Sequence, residues 1–251
     1  MPIGILGAML EEVEILKRDM QDVVSQKIAG RIYYSGMLYG IQTVLVFSRW
    51  GKVASAIAAT TLITHFQVNS IIFVGVAGAA DERLNIGDIV IGTHLYQHDM
   101  DARPLFPQFE VPLTNLSVFS AAQILCQHAE NAARTFCTEI RQLLQAEALH
   151  EFSILQPRHY SGVIASGDCF VFTEAQKTRI KTDMPQALAV EMEGAAIAQV
   201  CTEHNTPFVV VRTISDKADA SSHIDFPAFI AKIARYYSWY IIQAMYRLFL
   251  K

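Results

Sequence analysis

The chain lacks the run of about 18 uninterrupted apolar residues that a membrane span needs. Its most apolar stretch, Phe229 to Leu250, is broken by Lys232, Arg235 and Arg247 and reads as a buried or interface helix. No basic segment precedes the first apolar run, so Met1 to Leu10 reads as a strand rather than a signal peptide. Twenty Lys and Arg are scattered among 24 Asp and Glu, for a net charge of -4. The clustered cations of a nucleic-acid footprint are missing. Neither a membrane nor a nucleic acid is therefore an expected partner. The four cysteines (Cys126, Cys137, Cys169 and Cys201) form no C-x-x-C pair. That argues against a structural zinc or a disulfide framework and for a reducing, cytoplasmic compartment. P-loop, dinucleotide, G-x-S-x-G and H-E-x-x-H motifs are all absent, as are repeats and low-complexity stretches. His98-Asp-Met-Asp101 gathers ligand-type residues, but its spacing brings no three together and it reads as a polar turn. No metal or cofactor is expected.

What is present is a chain of 251 residues, 52% hydrophobic and 18% charged, suited to one large α/β domain over residues 1–251. Ile3 to Ala8 reads as a buried strand, and Glu11 to Met20 as a helix with acids first and bases last. Arg31 to Leu38 and Ile41 to Phe47 flank Tyr39-Gly40 as a hairpin. Lys52 to Phe66 is an Ala- and Thr-rich helix. Ser70 to Val76 reads as a core strand ending in Gly75-Val-Ala-Gly78, where glycine lets backbone approach a ligand. Asp88 to Tyr96 is a strand, and Arg103 to Pro112, with three prolines, is a loop. Leu116 to Ala148 is expected to be helical with a break near Asn131. Tyr160 to Ser166 is a strand followed by a loop to Val171, and Thr173-Glu-Ala-Gln176 is a capping box. The final helix is expected to begin at Asp225. Strand and helix alternate, so a mostly parallel or mixed sheet covered by helices follows.

Two strands carry the chemistry. Ala187 to Val190 ends in Glu191-Met192-Glu193, and Phe208 to Val211 runs into Arg212, Ser215 and Asp216. Ligands of α/β sheets bind outside the carboxyl ends of strands. Glu12, Glu191, Glu193 and Asp216 are candidate acid and base groups that a single sheet could converge. An oxocarbenium-forming cleavage suits such a set: one carboxyl protonates the leaving group, another activates water, and a third holds sugar hydroxyls. Phe170 and Phe226 offer flat walls for a ring, although core packing is the commoner use of phenylalanine.

Six segments together resemble one family. They are Ile3-Gly-Ile-Leu-Gly-Ala-Met9 with Glu11-Glu12, Gly51-Lys52-Val53, Val76-Ala-Gly78, Val163-Ile-Ala-Ser-Gly-Asp168, Val190-Glu-Met-Glu193 and Ile214-Ser-Asp216. The chain is similar over nearly its whole length to the 5′-methylthioadenosine/S-adenosylhomocysteine nucleosidases of the purine nucleoside and uridine phosphorylase superfamily. The resemblance implies a three-layer α/β/α fold with a mixed, partly closed sheet and a homodimer. It also implies hydrolysis of the adenine–ribose bond without metal or cofactor, in methionine salvage and S-adenosylhomocysteine removal. On that pattern Asp216, positioned by Ser215, protonates purine N7, while Glu12 activates water with Arg212 close by. Glu193 holds the ribose hydroxyls. Phe170 stacks on adenine and the backbone of Val171 reads its edge. Met9 and Met192 pack on the ribose, Val76, Ala77 and Gly78 line the site, and Phe226 borders the 5′ substituent. Phe106 or Phe109 is expected to reach the neighbouring subunit's site.

Three features depart from the family's pattern. Many relatives carry Ser or Thr at the position of Val76, so a hydroxyl near the ribose is missing. Trp50 replaces a smaller aliphatic residue and reshapes the 5′ pocket. The segment from Leu116 to Pro157 is longer than in compact relatives. Aminodeoxyfutalosine hydrolysis in menaquinone synthesis uses the same catalytic set and stays an alternative. So do a purine nucleoside phosphorylase and, last, a catalytically silent nucleoside binder. The 5′ substituent is left open.

Overall fold

The computed structural model describes residues 1–250, with the backbone alone for residues 223–225. In chain order the elements are β1 (Ile3–Gly7), α1 (Leu10–Arg18), β2 (Met20–Ile28), β3 (Arg31–Leu38), β4 (Ile41–Phe47), α2 (Lys52–Thr64), β5 (Ser70–Ala79), β6 (Ile89–Gln97) and β7 (Phe119–Ser120). They continue with α3 (Gln123–Leu143), α4 (Ala146–Glu151), β8 (His159–Ser166), α5 (Glu174–Asp183), β9 (Ala187–Glu191), α6 (Gly194–Glu203), β10 (Phe208–Asp216), α7 (Ser222–Phe229) and α8 (Arg235–Phe249). A π-helical turn, Ile230–Ala234, joins the last two helices.

One mixed sheet runs through the molecule in the order β10-β6-β8-β9-β5-β1-β4-β3-β2, and β10 also pairs with β5. Five strands thus close into a ring, while β1, β4, β3 and β2 form an open wing. Side chains alternate across the strands. On β5, Ile72, Val74 and Val76 join one core with α1, α3 and α8; Ile71, Phe73 and Ala77 join another with α2 and α6. The result is the expected three-layer fold with a partly closed sheet. Strands β1, β9 and β10 are buried along their full length, as both-sided burial requires. Among the described residues no helix is long and apolar enough to cross a membrane.

The cavity follows from how β5 shares its edges. β10 runs beside β5 from Ile71 to Gly78. On the opposite edge β1 pairs only as far as Gly7 opposite Val74, and β9 pairs only at Gly78 and Ala79. Between them the two neighbours diverge beside Gly75, Val76 and Ala77. A crevice opens where the pairing partner changes.

Several boundaries differ from the sequence reading. β5 runs through Gly75 and Gly78 to Ala79, because pairing with β10 continues past them. Strand β2 was not anticipated; nearly all of it is exposed, so no alternation marks it. Helix α3 passes Asn131 unbroken, with Ala129, Ala132, Ala133 and Phe136 all buried, and the break falls at Leu144 and Gln145. Helix α7 starts at Ser222, ahead of the expected Asp225 cap, whose side chain lies outside the described residues. The capping box at Thr173 and Gln176 forms as read.

Candidate active site

A cavity of about 190 Å³ occupies the crevice, lined by the ends of β1, β5, β9 and β10 and by the loop after β8. It is smaller than typical ligand sites of about 300–1,000 Å³, and an aromatic row borders it. Trp50 meets Phe226 edge-on at 6.1 Å, and Phe226 meets Phe170 edge-on at 5.6 Å. The Trp50 indole is tethered by Nε1 donating to the carbonyl of Ala8 at 3.1 Å. Met9, Val76, Ala77, Gly78, Val171 and Met192 supply most of the apolar remainder; Glu193, Ser215 and Asp216 are polar.

Asp216 owes its placement to a bulge. The β5–β10 register shifts between Ile214 and Asp216, so Ser215 is the extra residue and the strand end is re-aimed. Ser215 Oγ donates to Asp216 Oδ2 at 2.8 Å, and the backbone N–H of Ala218 donates to Oδ1 at 2.9 Å. Gly78 lets the strands close here: a Cβ on it would sit 3.0 Å from Asp216 Oδ1.

Glu193 caps α6 and accepts from the backbone N–H of Gly51 at 2.9 Å. Gly51 reaches that position with φ of 90°, a left-handed conformation natural to glycine. Burial, and Glu191 beside it, push the Glu193 carboxyl above its ordinary range, while Arg212 pulls it down. Glu12 lies in the first turn of α1, with Oε2 accepting from the N–H of Met9 at 2.9 Å. It is wholly buried, and burial pushes its pKa up to about 7 against the donors that favour the anion.

Glu191 is a correction to the acid/base list. Both its oxygens take the N–H of Gly194, and Arg212 donates to it through Nε at 3.1 Å and Nη2 at 2.6 Å. Ser166 Oγ also bonds it, while accepting from the N–H of Ala195 at 2.7 Å. Although it borders the cavity, its oxygens are taken up by the N-terminus of α6 and by a buried arginine. Arg212 in turn stacks over Phe73 at 3.8 Å and stands 3.9 Å from Glu193. A Cβ on Gly75 would come within 2.8 Å of its Nη1, so this glycine makes room for a protein group rather than a ligand.

Twelve of the fourteen expected site residues line the cavity; Glu12 and Arg212 stand behind the lining. Ala8, Cys169 and Val190 line it without having been expected to. Two segments of the resemblance meet away from the acids. Asp168 accepts from the N–H of Lys52 at 2.7 Å, and Lys52 pairs with Asp99, which holds the N–H of Asp168. This network ties the loop bearing Phe170 to the start of α2. Phe106 and Phe109 do not line the cavity, and Phe109 packs on its own chain against the small buried cluster that includes Ala80 and Val171. Among the described residues no group of three His, Cys, Asp or Glu is placed to hold a metal ion.

A family model described as "Phosphorylase superfamily" matches residues 2–237. A 5′-methylthioadenosine/S-adenosylhomocysteine nucleosidase of Staphylococcus saprophyticus is 39% identical over 92% of this chain and 93% of its own. The nucleosidase of that name from Neisseria meningitidis, solved with methylthio-immucillin-A, superposes with a TM-score of 0.86 at 33% identity, covering 98% and 99% of the two chains. Futalosine hydrolase of Helicobacter pylori gives 0.82 at 31%, covering 98% and 97%. Fold, crevice and sequence agree: the chain belongs to the phosphorylase superfamily and, within it, to the 5′-methylthioadenosine/S-adenosylhomocysteine nucleosidase family.

Proposed function

We propose that this protein hydrolyses the N-glycosidic bond of 5′-methylthioadenosine and S-adenosylhomocysteine, releasing adenine and the 5′-thioribose product. The observation that carries this reading is the separation of carboxyls around one cavity. Asp216 faces it at the end of β10, bonded to the Ser215 hydroxyl and the Ala218 N–H, while burial raises the proton affinity of Glu193 and Glu12. Such a pair of environments suits acid and base roles in one reaction.

Asp216, held by Ser215, donates the proton that purine N7 takes as the bond breaks. Phe170 stacks on the base and the backbone of Val171 reads its edge, with Ala77 and Gly78 beneath. Cleavage leaves positive charge on the sugar, which Glu193 stabilises through the ribose hydroxyls, a contact that strengthens in the transition state. Glu12, with its pKa near neutrality, takes a proton from the attacking water, and Arg212 orients the carboxylates around it. Met9 and Met192 pack on the ribose beside Val76. Phe226 and Trp50 border the 5′ group.

A phosphorylase needs basic groups that converge on phosphate. Among the described residues the cavity lining contains no Lys or Arg, and the nearby Arg212 is bonded to Glu191. The futalosine hydrolase likeness and the bulky Trp50 favour aminodeoxyfutalosine hydrolysis as the second reading.

We also place the protein in the cytoplasm as a homodimer. All four cysteines are free, as in a reducing compartment. Val53 and Ile57 on α2, and Leu105 and Leu113 on the loop before β7, are exposed apolar groups that a second copy would cover. The final helix gives no such support, since its apolar face is buried in its own core. A monomer in sedimentation equilibrium at micromolar concentration would refute the dimer.

The test of activity is adenine release from methylthioadenosine, S-adenosylhomocysteine and aminodeoxyfutalosine, each with and without phosphate. Release independent of phosphate is expected, fastest from one of the first two. Release that requires phosphate would make the protein a phosphorylase. Release fastest from aminodeoxyfutalosine would transfer it to the second reading.

A further inference from the structure

Residues 12 and 238 lie at opposite ends of the chain and meet in its core. Ser238 Oγ donates to Glu12 Oε1 at 2.6 Å, and both side chains are buried. Glu12 Oε2 accepts from the N–H of Met9, so each oxygen of this carboxylate has a donor. Ser238 sits in the first turn of α8, just past the π-helical turn Ile230–Ala234. A residue advances an α-helix by about 100°, and a π turn absorbs one extra residue, so it rotates everything after it by roughly that angle. This phase decides which residue faces α1. Tyr237 packs instead against Phe136 and Phe229, and Trp239 reaches Asp19 through Nε1.

We propose that Ser238 is a positioning residue for Glu12: its hydroxyl pins Oε1 and keeps this carboxyl a proton acceptor. The inference rests on reading Glu12 as the base. A carboxyl sealed from water relieves its burial by binding a proton, after which it no longer serves as a base. Donors reverse that tendency. Among the described residues, the charged groups that face Glu12 are few. Arg212 on β10 favours the anion, but Glu191 and Glu193 at the end of β9 share its charge. β1 and β4 carry no charged residue. The buried titratable groups of α8 are phenols, Tyr237, Tyr240 and Tyr246. Lys232 in the π turn is exposed and paired with Glu151. With so little compensating charge, the neutral donors matter; those of Met9 and Ala8 are backbone, and the Ser238 hydroxyl is the side-chain donor that substitution can remove.

The experiment is the pH dependence of kcat/KM for adenine release from methylthioadenosine in the parent, S238A, S238T and E12Q, with thermal unfolding recorded for each. Ser238→Ala is expected to move the acidic limb up by about one pH unit, the shift that losing one hydrogen bond to a charged group implies. The rate at pH 6 then falls about ten-fold more than the rate at pH 9. Ser238→Thr, which keeps the hydroxyl, should return the limb toward its parental position even if its extra methyl lowers the unfolding temperature. An unmoved limb in S238A beside an inactive E12Q overturns the role of Ser238 alone. Full activity in E12Q overturns the assignment of Glu12 as base, and this inference with it.

Discussion

Asp216 and Glu12 serve one cavity from surroundings that differ in kind. Asp216 faces the open space at a bulged strand end, where the Ser215 hydroxyl and the backbone N–H of Ala218 donate to it. Glu12 stands behind the lining, sealed from water, close to the buried group of Glu191, Arg212 and Glu193. Two carboxyls that serve one cavity are thereby given different surroundings by burial and company rather than by sequence. The same comparison separates Glu191 from Glu193. Two positions apart, one spends its charge on a helix end and an arginine, and the other keeps an oxygen toward the cavity.

The strongest way to break this contrast is Asp216→Asn, which removes the proposed acid while keeping the shape and most of the hydrogen bonds. Turnover should fall about 10²–10⁴-fold, the usual contribution of a positioned acid, with an unchanged unfolding midpoint. Activity near the parental level would mean that the proton comes from elsewhere.

A second test reads the buried side through stability. Burial lifts Glu12 from 4.5 to about 7, so the folded chain holds a proton that the unfolded chain has lost. The associated stabilisation is complete below pH 4.5 and disappears as pH rises through 7. Glutamine never ionises. Glu12→Gln should therefore be more stable than the parent above pH 7, by on the order of 3 kcal/mol, and nearly equal to it at pH 5. Melting curves at the two pH values decide, and an equal difference at both would show that Glu12 ionises normally in the fold.

The smallest effect is expected at the rim. Trp50→Ala removes one edge-on pair with Phe226 and one face of the cavity mouth, worth about 0.5–1.5 kcal/mol. KM for methylthioadenosine should rise by up to about ten-fold with kcat little changed. A fall in kcat instead would place Trp50 in the chemical step.

Much of this site could be read in the chain because strand ends announce themselves. Fully buried strands read as apolar runs, and the charges that interrupt them at Glu191, Glu193, Arg212 and Asp216 stand out. Which of these charges work and which are structural was not readable. Glu191 looks like its neighbour until its bonds to Gly194 and Arg212 are seen, and those depend on where β10 lies beside β5. Gly75 invited a ligand until Arg212 filled the space. Ser238 carried no signal at all, since one serine in an apolar helix is unremarkable and its facing depends on the π turn before it. Strand β2 escaped because exposed residues carry no burial pattern, and the break expected at Asn131 failed because packing outweighed a polar residue.

The bond between residues 238 and 12 also separates the integrity of the cavity from the integrity of its base. Every residue that lines the cavity lies at or before Phe226, while the hydroxyl that holds Glu12 lies beyond it on α8. A backbone cut between Phe226 and Ser238 therefore spares the whole lining and severs the covalent hold on one donor of the carboxylate. Damage to a helix that never meets the substrate would then disarm a site whose walls are intact.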